Sequence, residues 1–232
     1  MRIAAFIRTT YGEWEGRDCC RVDVRGCNLR CPFCKAPAML RTEGEDVDPA
    51  SVLAYVKDRG DTLDGVIVSG GEPLASPDLY KFLRELKSLK RPVMLMTNGC
   101  FPDALDDLIG AELIDWVSLH LPAPLEQAAY ARTTNTPVSD PTAVRRSLQI
   151  MQGSGVSWDC RTVAVPGLID GAAIVQIAKA VGERGILQIM QFDSRTCLDS
   201  TYQKLRPYGR PEAAALSAAA KPYVKHVKLR GF

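Results

Sequence analysis

The chain has no apolar run near the roughly 20 residues that a membrane-spanning helix needs. Charge of neither sign is in excess. The 29 Lys+Arg face 27 Asp+Glu, a net +2 that is too small to point to nucleic acid or an anionic membrane surface. Histidine is scarce: His120 and His226 are the two present, too far apart in sequence for a paired-histidine metal motif. There is no internal repeat, low-complexity tract or domain-splitting linker, which excludes repeat arrays and disordered segments. The opening stretch MRIAAFIRTTYGEWEG lacks a longer hydrophobic region and a cleavage site, so no signal peptide and a cytoplasmic location are expected. What remains is 232 residues, 46% hydrophobic and 24% charged, the profile of one folded α/β unit of barrel size.

Cysteine is not scarce. Of eight, seven lie in the first 160 residues: Cys19, Cys20, Cys27, Cys31, Cys34, Cys100 and Cys160, with Cys197 beyond. A disulfide framework does not suit a cytoplasmic chain long enough to bury its own core, so reduced thiols are expected, and clustered ones suggest metal. The vicinal pair Cys19-Cys20 reads as two thiols on opposite faces of a strand, with a redox-active or bridging pair as the alternative.

Short apolar runs alternate with helical patterns. Strands are expected at residues 20–25, 65–69, 92–97, 116–121, 158–165 and 186–192, mostly as the continuous apolar runs of strands buried on both faces. Helices are expected from Asp48-Pro49 through residue 56, from Ser76-Pro77 onward, and at 103–109, 141–151 and 170–183. Gly60, Gly110, Gly155 and Gly185 punctuate the helix-to-strand turns. The tail reads as a helix over 213–220 followed by a basic strand or extension. Right-handed crossovers then build a mostly parallel sheet with outer helices, open or curled into a partial barrel, with chemistry at the C-terminal strand ends. Gly26-Cys27, Gly70-Gly71-Glu72 and Asn98-Gly99 fall at three such ends.

Residues 26–34 read GCNLRCPFC, so Cys27, Cys31 and Cys34 are spaced C-x3-C-x2-C on one turn. Structural zinc wants four ligands, usually in two pairs, and there is no second C-x2-C. Three thiolates on one loop better suit an iron–sulfur cluster with one iron left free of protein, a site that binds something else. Gly70 and Gly71 let backbone approach a ligand closely. Glu72 is a candidate acceptor at that turn, and Phe33 lies inside the cysteine loop.

The cysteine spacing with Phe33 before Cys34, followed 35 residues later by Ser69-Gly70-Gly71-Glu72-Pro73, resembles the radical S-adenosylmethionine (SAM) enzymes. The resemblance implies a partial (β/α)6 barrel and a [4Fe–4S] cluster held by Cys27, Cys31 and Cys34. The open iron would chelate the amino and carboxylate groups of SAM, which is cleaved to methionine and a hydrogen-abstracting 5′-deoxyadenosyl radical. Such a cluster is oxygen-sensitive and needs an electron from flavodoxin or ferredoxin. Anaerobic physiology is therefore expected.

Further segments resemble the glycyl-radical-enzyme activases, in particular the activating protein of anaerobic ribonucleoside-triphosphate reductase, over roughly residues 18–200. They are Met96-Thr97-Asn98-Gly99, residues 115–121 with Pro122-Ala123-Pro124-Leu125, residues 159–167, and residues 188–192. By this resemblance Thr97, Asn98, His120 and Arg161 join Phe33, Gly70, Gly71 and Glu72 as SAM contacts. Two departures stand out. Met96 replaces an Asp, and His120 and Pro122 replace the Asp and Lys of a D-x-K segment. In some activases the two Asp help hold a cation, so SAM binding without that cation is expected here, with Arg161 and His120 taking its part. Simpler readings stand beside these: a backbone-satisfied strand-end histidine for His120, a structural salt bridge for Arg161, and turn chemistry for Asn98-Gly99.

An activase would take a hydrogen from a backbone glycine of a partner enzyme. Residues 122–137 and the basic tail Lys221, Lys225, Lys228 and Arg230 are candidates for docking that partner, although tail charges are more often simply solvated. The alternative function is a radical SAM enzyme acting on a small molecule or nucleobase, such as a 7-carboxy-7-deazaguanine synthase. A non-catalytic electron-transfer protein is a third reading, which the intact Gly-Gly-Glu argues against. Residues 35–47 contain no Cys and only Cys197 lies beyond Cys160, so no second cluster is expected.

Overall fold

The computed structural model describes residues 1–41, 43–136 and 140–232; Pro137, the last residue of the 122–137 segment, lies outside them. One eight-stranded sheet runs in chain order. Its strands are β1 (Ile3–Thr10), β2 (Cys19–Val24), β3 (Gly65–Gly70), β4 (Val93–Thr97), β5 (Trp116–His120), β6 (Ser157–Ala164), β7 (Ile186–Gln191) and β8 (His226–Arg230). Strands β2 to β8 pair in parallel, and β1 adds an antiparallel edge on β2. The six expected strands appear as β2 to β7, each within a residue or so at either end. Strand β1 was not anticipated.

The crossover helices are α1 (Pro49–Arg59), α2 (Leu79–Ser88), α3 (Pro102–Gly110), α4 (Gln127–Thr134), α5 (Pro141–Gly153), α6 (Gly171–Val181) and α7 (Arg210–Ala220). Asp48 caps α1 by accepting from Ala50 N, Asp140 caps α5 through Thr142 N, and Asp170 caps α6 through Ala173 N. Helix α2 starts at Leu79, later than the expected Ser76-Pro77. Ser76 N closes one 3-10 turn on Pro73 O at 2.9 Å and Leu79 N donates to Ser76 O at 3.2 Å, so residues 76–78 form a tight turn and the helical pattern starts with Phe82 N on Asp78 O. Helix α4 falls inside the 122–137 segment that is a candidate for docking a partner. No described helix is long and apolar enough to cross a membrane.

The outward faces of the strands carry Val22, Val66, Leu95, Val117 and Ile189, packed against Val52, Leu83, Leu105, Leu148 and Ile177 of the helices. Each such buried aliphatic side chain contributes about 1.5–3 kcal/mol. The inward face differs from the apolar surface expected. Cys19, Ile67 and Met94, with Met96 and Trp116 beside them, form an apolar patch there under Trp14. Cys20 belongs to the outward core, so the vicinal cysteines do face opposite sides of β2. The same face also buries polar groups, Asp23, Ser118, Asp159 and Gln188. Residues 11–18, joining β1 to β2, cross this face: Glu13 O accepts from Arg161 of β6 at 2.6 Å, and Glu15 pairs with Lys228 of β8. The sheet thus curves so that one edge loop reaches the opposite edge, as in a partial barrel left open between β1 and β8.

Candidate active site

The loop after β2 turns at Gly26, whose φ of +95° is left-handed and whose N–H donates to Met39 O at 2.8 Å. Residues 27–34 follow. Arg30 N donates to Thr134 O at 3.0 Å, Cys34 N to Cys31 O at 3.0 Å, and Asp199 N to Pro32 O at 2.9 Å. The loop is therefore clamped by the end of α4 on one side and by the segment after β7 on the other. All three thiols are half-buried and free. Burial pushes Cys27 up to about 11 and Cys31 up to about 12, and the neighbouring thiols add to it. Metal binding must then expel these protons.

The charges of Cys27 and Cys34 both act on Cys31, which places the three thiols near one another on one loop, as a site that ligates three irons from one loop requires. The single-zinc alternative needs all ligands within about 2.3 Å of one ion. A fourth ligand for zinc would have to come from outside the loop, where there is no second C-x2-C pair.

The second motif is fitted against the first. Gly71 N donates to Val24 O at 2.9 Å and Glu72 N to Gly26 O at 2.7 Å. A Cβ on Gly71 would lie 1.8 Å from Gly26 O, and one on Gly70, whose φ is +112°, 2.3 Å from Val24 N. These glycines are required where two loops touch.

The Glu72 carboxylate, expected to suit an ammonium group, already meets three protein donors here. Glu72 is 1% exposed. Its Oε1 accepts from Leu74 N at 3.0 Å and Thr97 Oγ1 at 2.7 Å, and its Oε2 from Asn98 N at 2.7 Å. The side chain staples the end of β3 to the end of β4, and Thr97 spends its hydroxyl on the same bond. Burial raises the Glu72 carboxyl to about 7, and the three donors resist that rise.

Asn98 faces the cysteine loop. Its Nδ2 donates to Asn28 Oδ1 at 2.8 Å and reaches Cys27 Sγ at 3.9 Å, while its Oδ1 accepts from Cys100 N at 3.0 Å. Asn98 thus combines turn chemistry with a contact to a cysteine of the motif. Phe33 is buried against Val165, Phe192 and Cys197 at the ends of β6 and β7, as part of the wall rather than a free-standing ring.

His120 and Arg161 are register partners on β5 and β6. The His120 Nε2 is buried with no hydrogen-bond partner, so the backbone does not satisfy it. Burial, then the charges of Arg161 and Lys35, push its pKa down to about 4. The histidine is therefore neutral above pH 5. Lys35, the last of these charges, directly follows Cys34. Arg161 has the structural partners that its simpler reading required. Its Nε donates to Asp159 Oδ1 at 3.3 Å, its Nη2 to Glu13 O, and its Nη1 lies 3.9 Å from the Sδ of Met96.

Asp159 was not singled out from the sequence. It is 1% exposed and accepts from Trp116 Nε1 and Ser118 Oγ, each at 2.7 Å, besides Arg161. The signal was present: Asp159 and Arg161 are two apart on one strand and so share a face. Asp159→Asn replaces one acceptor by a donor opposite buried donors. It should cost about 2 kcal/mol, seen as a lower guanidinium midpoint at unchanged slope.

A family model described as the radical SAM superfamily matches residues 22–189. The chain belongs to the radical SAM superfamily. This radical SAM enzyme accordingly uses a [4Fe–4S] cluster and SAM. It is 26% identical over 209 residues to a Methanocaldococcus jannaschii protein provisionally assigned as a glycyl-radical enzyme activating enzyme, covering 88% of this chain and 85% of that one. It is also 33% identical over 129 residues to the 7-carboxy-7-deazaguanine synthase of Methanopyrus kandleri, covering 44% of this chain and 51% of that one. The corresponding Aquifex aeolicus enzyme matches at 35% over 78 residues, 34% of this chain and 35% of that one. The chain thus spans about half or less of these synthases.

The fold is similar to SuiB of Streptococcus suis bound to S-adenosylmethionine, with TM-score 0.67 at 15% identity over 97% of this chain and 49% of that one. A domain of pyruvate-formate lyase-activating enzyme from Bacteroides vulgatus gives TM-score 0.56 at 14% identity, covering 72% of this chain and 99% of that domain.

Proposed function

We propose that this radical SAM enzyme is a glycyl-radical-enzyme activase, resembling the activator of anaerobic ribonucleotide reductase. One observation carries the reading: the match to the archaeal activating-enzyme relative runs through 88% of this chain and 85% of the other, whereas the synthases match in part. In this reading Cys27, Cys31 and Cys34 hold the cluster. The backbone of Gly70-Gly71 lies along the methionine end of SAM, and Phe33 backs the adenine. Neutral His120 and cationic Arg161 face the SAM carboxylate, with no cation between. Glu72 and Thr97 act from behind, by holding the β3 and β4 ends together.

When bound, the cluster supplies the electron that cleaves SAM to methionine and a 5′-deoxyadenosyl radical. A partner glycine that gave up its Cα hydrogen atom would be left as a glycyl radical, with 5′-deoxyadenosine as the co-product. The electron comes from flavodoxin or ferredoxin, and the setting is an anaerobic, reducing cytoplasm. Reduced, SAM-loaded enzyme mixed with a candidate glycyl radical enzyme should give a glycine-centred EPR doublet.

A second reading, a deazaguanine-forming synthase, is favoured by the several synthases that match parts of the chain at 31–35% identity. Deoxyadenosine without the doublet across tested partners, together with formation of a 7-carboxy-7-deazaguanine product, would move the assignment there.

A further inference from the structure

The cluster loop is reached from two directions. Its inner side faces the barrel mouth, where His120 and Arg161 lie. Its outer side is clamped by α4 through Arg30 N–Thr134 O and by the segment after β7 through Asp199 N–Pro32 O. On those two clamps stand exposed cations. Arg30 folds its guanidinium over the carbonyls of Cys27 and Leu29, at 2.6 and 2.8 Å. Arg132 of α4 lies close enough to Tyr202 for its charge to act on that phenol. Lys204 is two residues further on. Among the described residues none of these three is in an ion pair. Of the acids on the segment after β7, Asp193 is paired with Arg195 and Asp199 turns its carboxylate to Thr201 N and Oγ1, at 2.9 and 2.8 Å. Beside it Leu198 is 38% exposed, one of few large apolar side chains left at the surface.

We infer that this arc, with Leu198 in its midst, is the docking face for a small acidic one-electron carrier protein. The inference rests on the radical SAM reading, which requires an electron from outside. Electron transfer falls steeply with distance, so the carrier must reach the thiol loop. The inner side has to stay free for SAM and the substrate, which leaves the outer side. Unpaired cations there steer an acidic partner and raise its encounter rate. One exposed apolar residue in a polar rim suits the small, transient interfaces of electron-transfer pairs. The basic tail is a poorer candidate: Lys228 and Arg230 already pair with Glu15.

The test uses reconstituted, SAM-loaded enzyme and flavodoxin hydroquinone as the probe, mixed anaerobically by stopped flow. Cluster bleaching is followed at low and high salt. Arg132→Glu with Lys204→Glu should slow the second-order reduction by about tenfold or more at low salt and flatten its salt dependence. Leu198→Ser should slow it at both salts. Iron content and deoxyadenosine formation with dithionite should stay at wild-type levels, as should flavodoxin reduction of the remote variant Lys57→Glu. Wild-type flavodoxin rates in the double variant would overturn the inference. So would an equal loss with dithionite, which would mark the patch as structural or as the substrate's own seat. The radical SAM reading fails separately, if the dithionite-reduced wild type makes no deoxyadenosine.

Discussion

Gly71→Ala should abolish cluster incorporation and lower stability by roughly 3–5 kcal/mol, the sum of overpacking and a broken buried hydrogen bond. The added methyl would stand 1.8 Å from Gly26 O and 3.2 Å from Cys27 Cβ, a backbone clash that no side-chain rotation relieves. Separating the loops also breaks the 2.7 Å Glu72 N–Gly26 O bond and moves the residue next to the first cysteine. The control is Gly155→Ala, whose methyl meets nothing within 4 Å. Iron and sulfide content after reconstitution, with the guanidinium midpoint, checks both parts. A Gly71→Ala protein that binds a full cluster would show that the two motif loops are not in this contact.

Glu72→Ala should be the second large effect, and its size should depend on pH. Removing the carboxylate leaves Thr97 Oγ1, Asn98 N and Leu74 N without their buried acceptor, at about 1–3 kcal/mol each before water enters the gap. Against this, the ionised carboxylate is itself costly where it lies. Its pKa is about 7 when folded against 4.5 in the unfolded chain, so the native state binds the extra proton between those values. Stability from this group is full below pH 4.5 and is lost as pH rises through 7, by about 3 kcal/mol. The wild type should therefore exceed Glu72→Ala by more at pH 5 than at pH 8, measured by chemical denaturation at both. An equal gap at the two pH values would show that the carboxyl is not held in this desolvated state.

The strands were legible wherever an apolar run was bounded by Gly, Pro or Asp, and the site lies at their ends because the cysteine and Gly-Gly motifs follow β2 and β3 directly. Strand β1 was hidden. IAAFIRTT mixes Arg and Thr into a half-exposed edge, where one face packs and one does not. Helix α4 carries Gln, Ala, Arg and Thr, with too weak a stripe to show that Tyr130 would be fully buried. The polar groups of the inner face were concealed within runs read as apolar, since Arg21 and Asp23, or Asp159 and Arg161, occupy alternate positions of strands whose other positions are hydrophobic. Glu72 could not be oriented from sequence at all, because its partners Thr97 and Asn98 lie on the next strand, 25 and 26 residues away. The cysteine motif shows what the site binds, while the direction of each supporting side chain depends on neighbours brought in by the sheet.

The most direct test of the account is anaerobic. The cluster is reconstituted and reduced with dithionite, SAM is added, and 5′-deoxyadenosine is measured by chromatography beside a Cys31→Ala control. The account predicts deoxyadenosine and methionine from the wild type and background from Cys31→Ala. Wild-type protein with a verified cluster and bound SAM that yields no more deoxyadenosine than Cys31→Ala would contradict it.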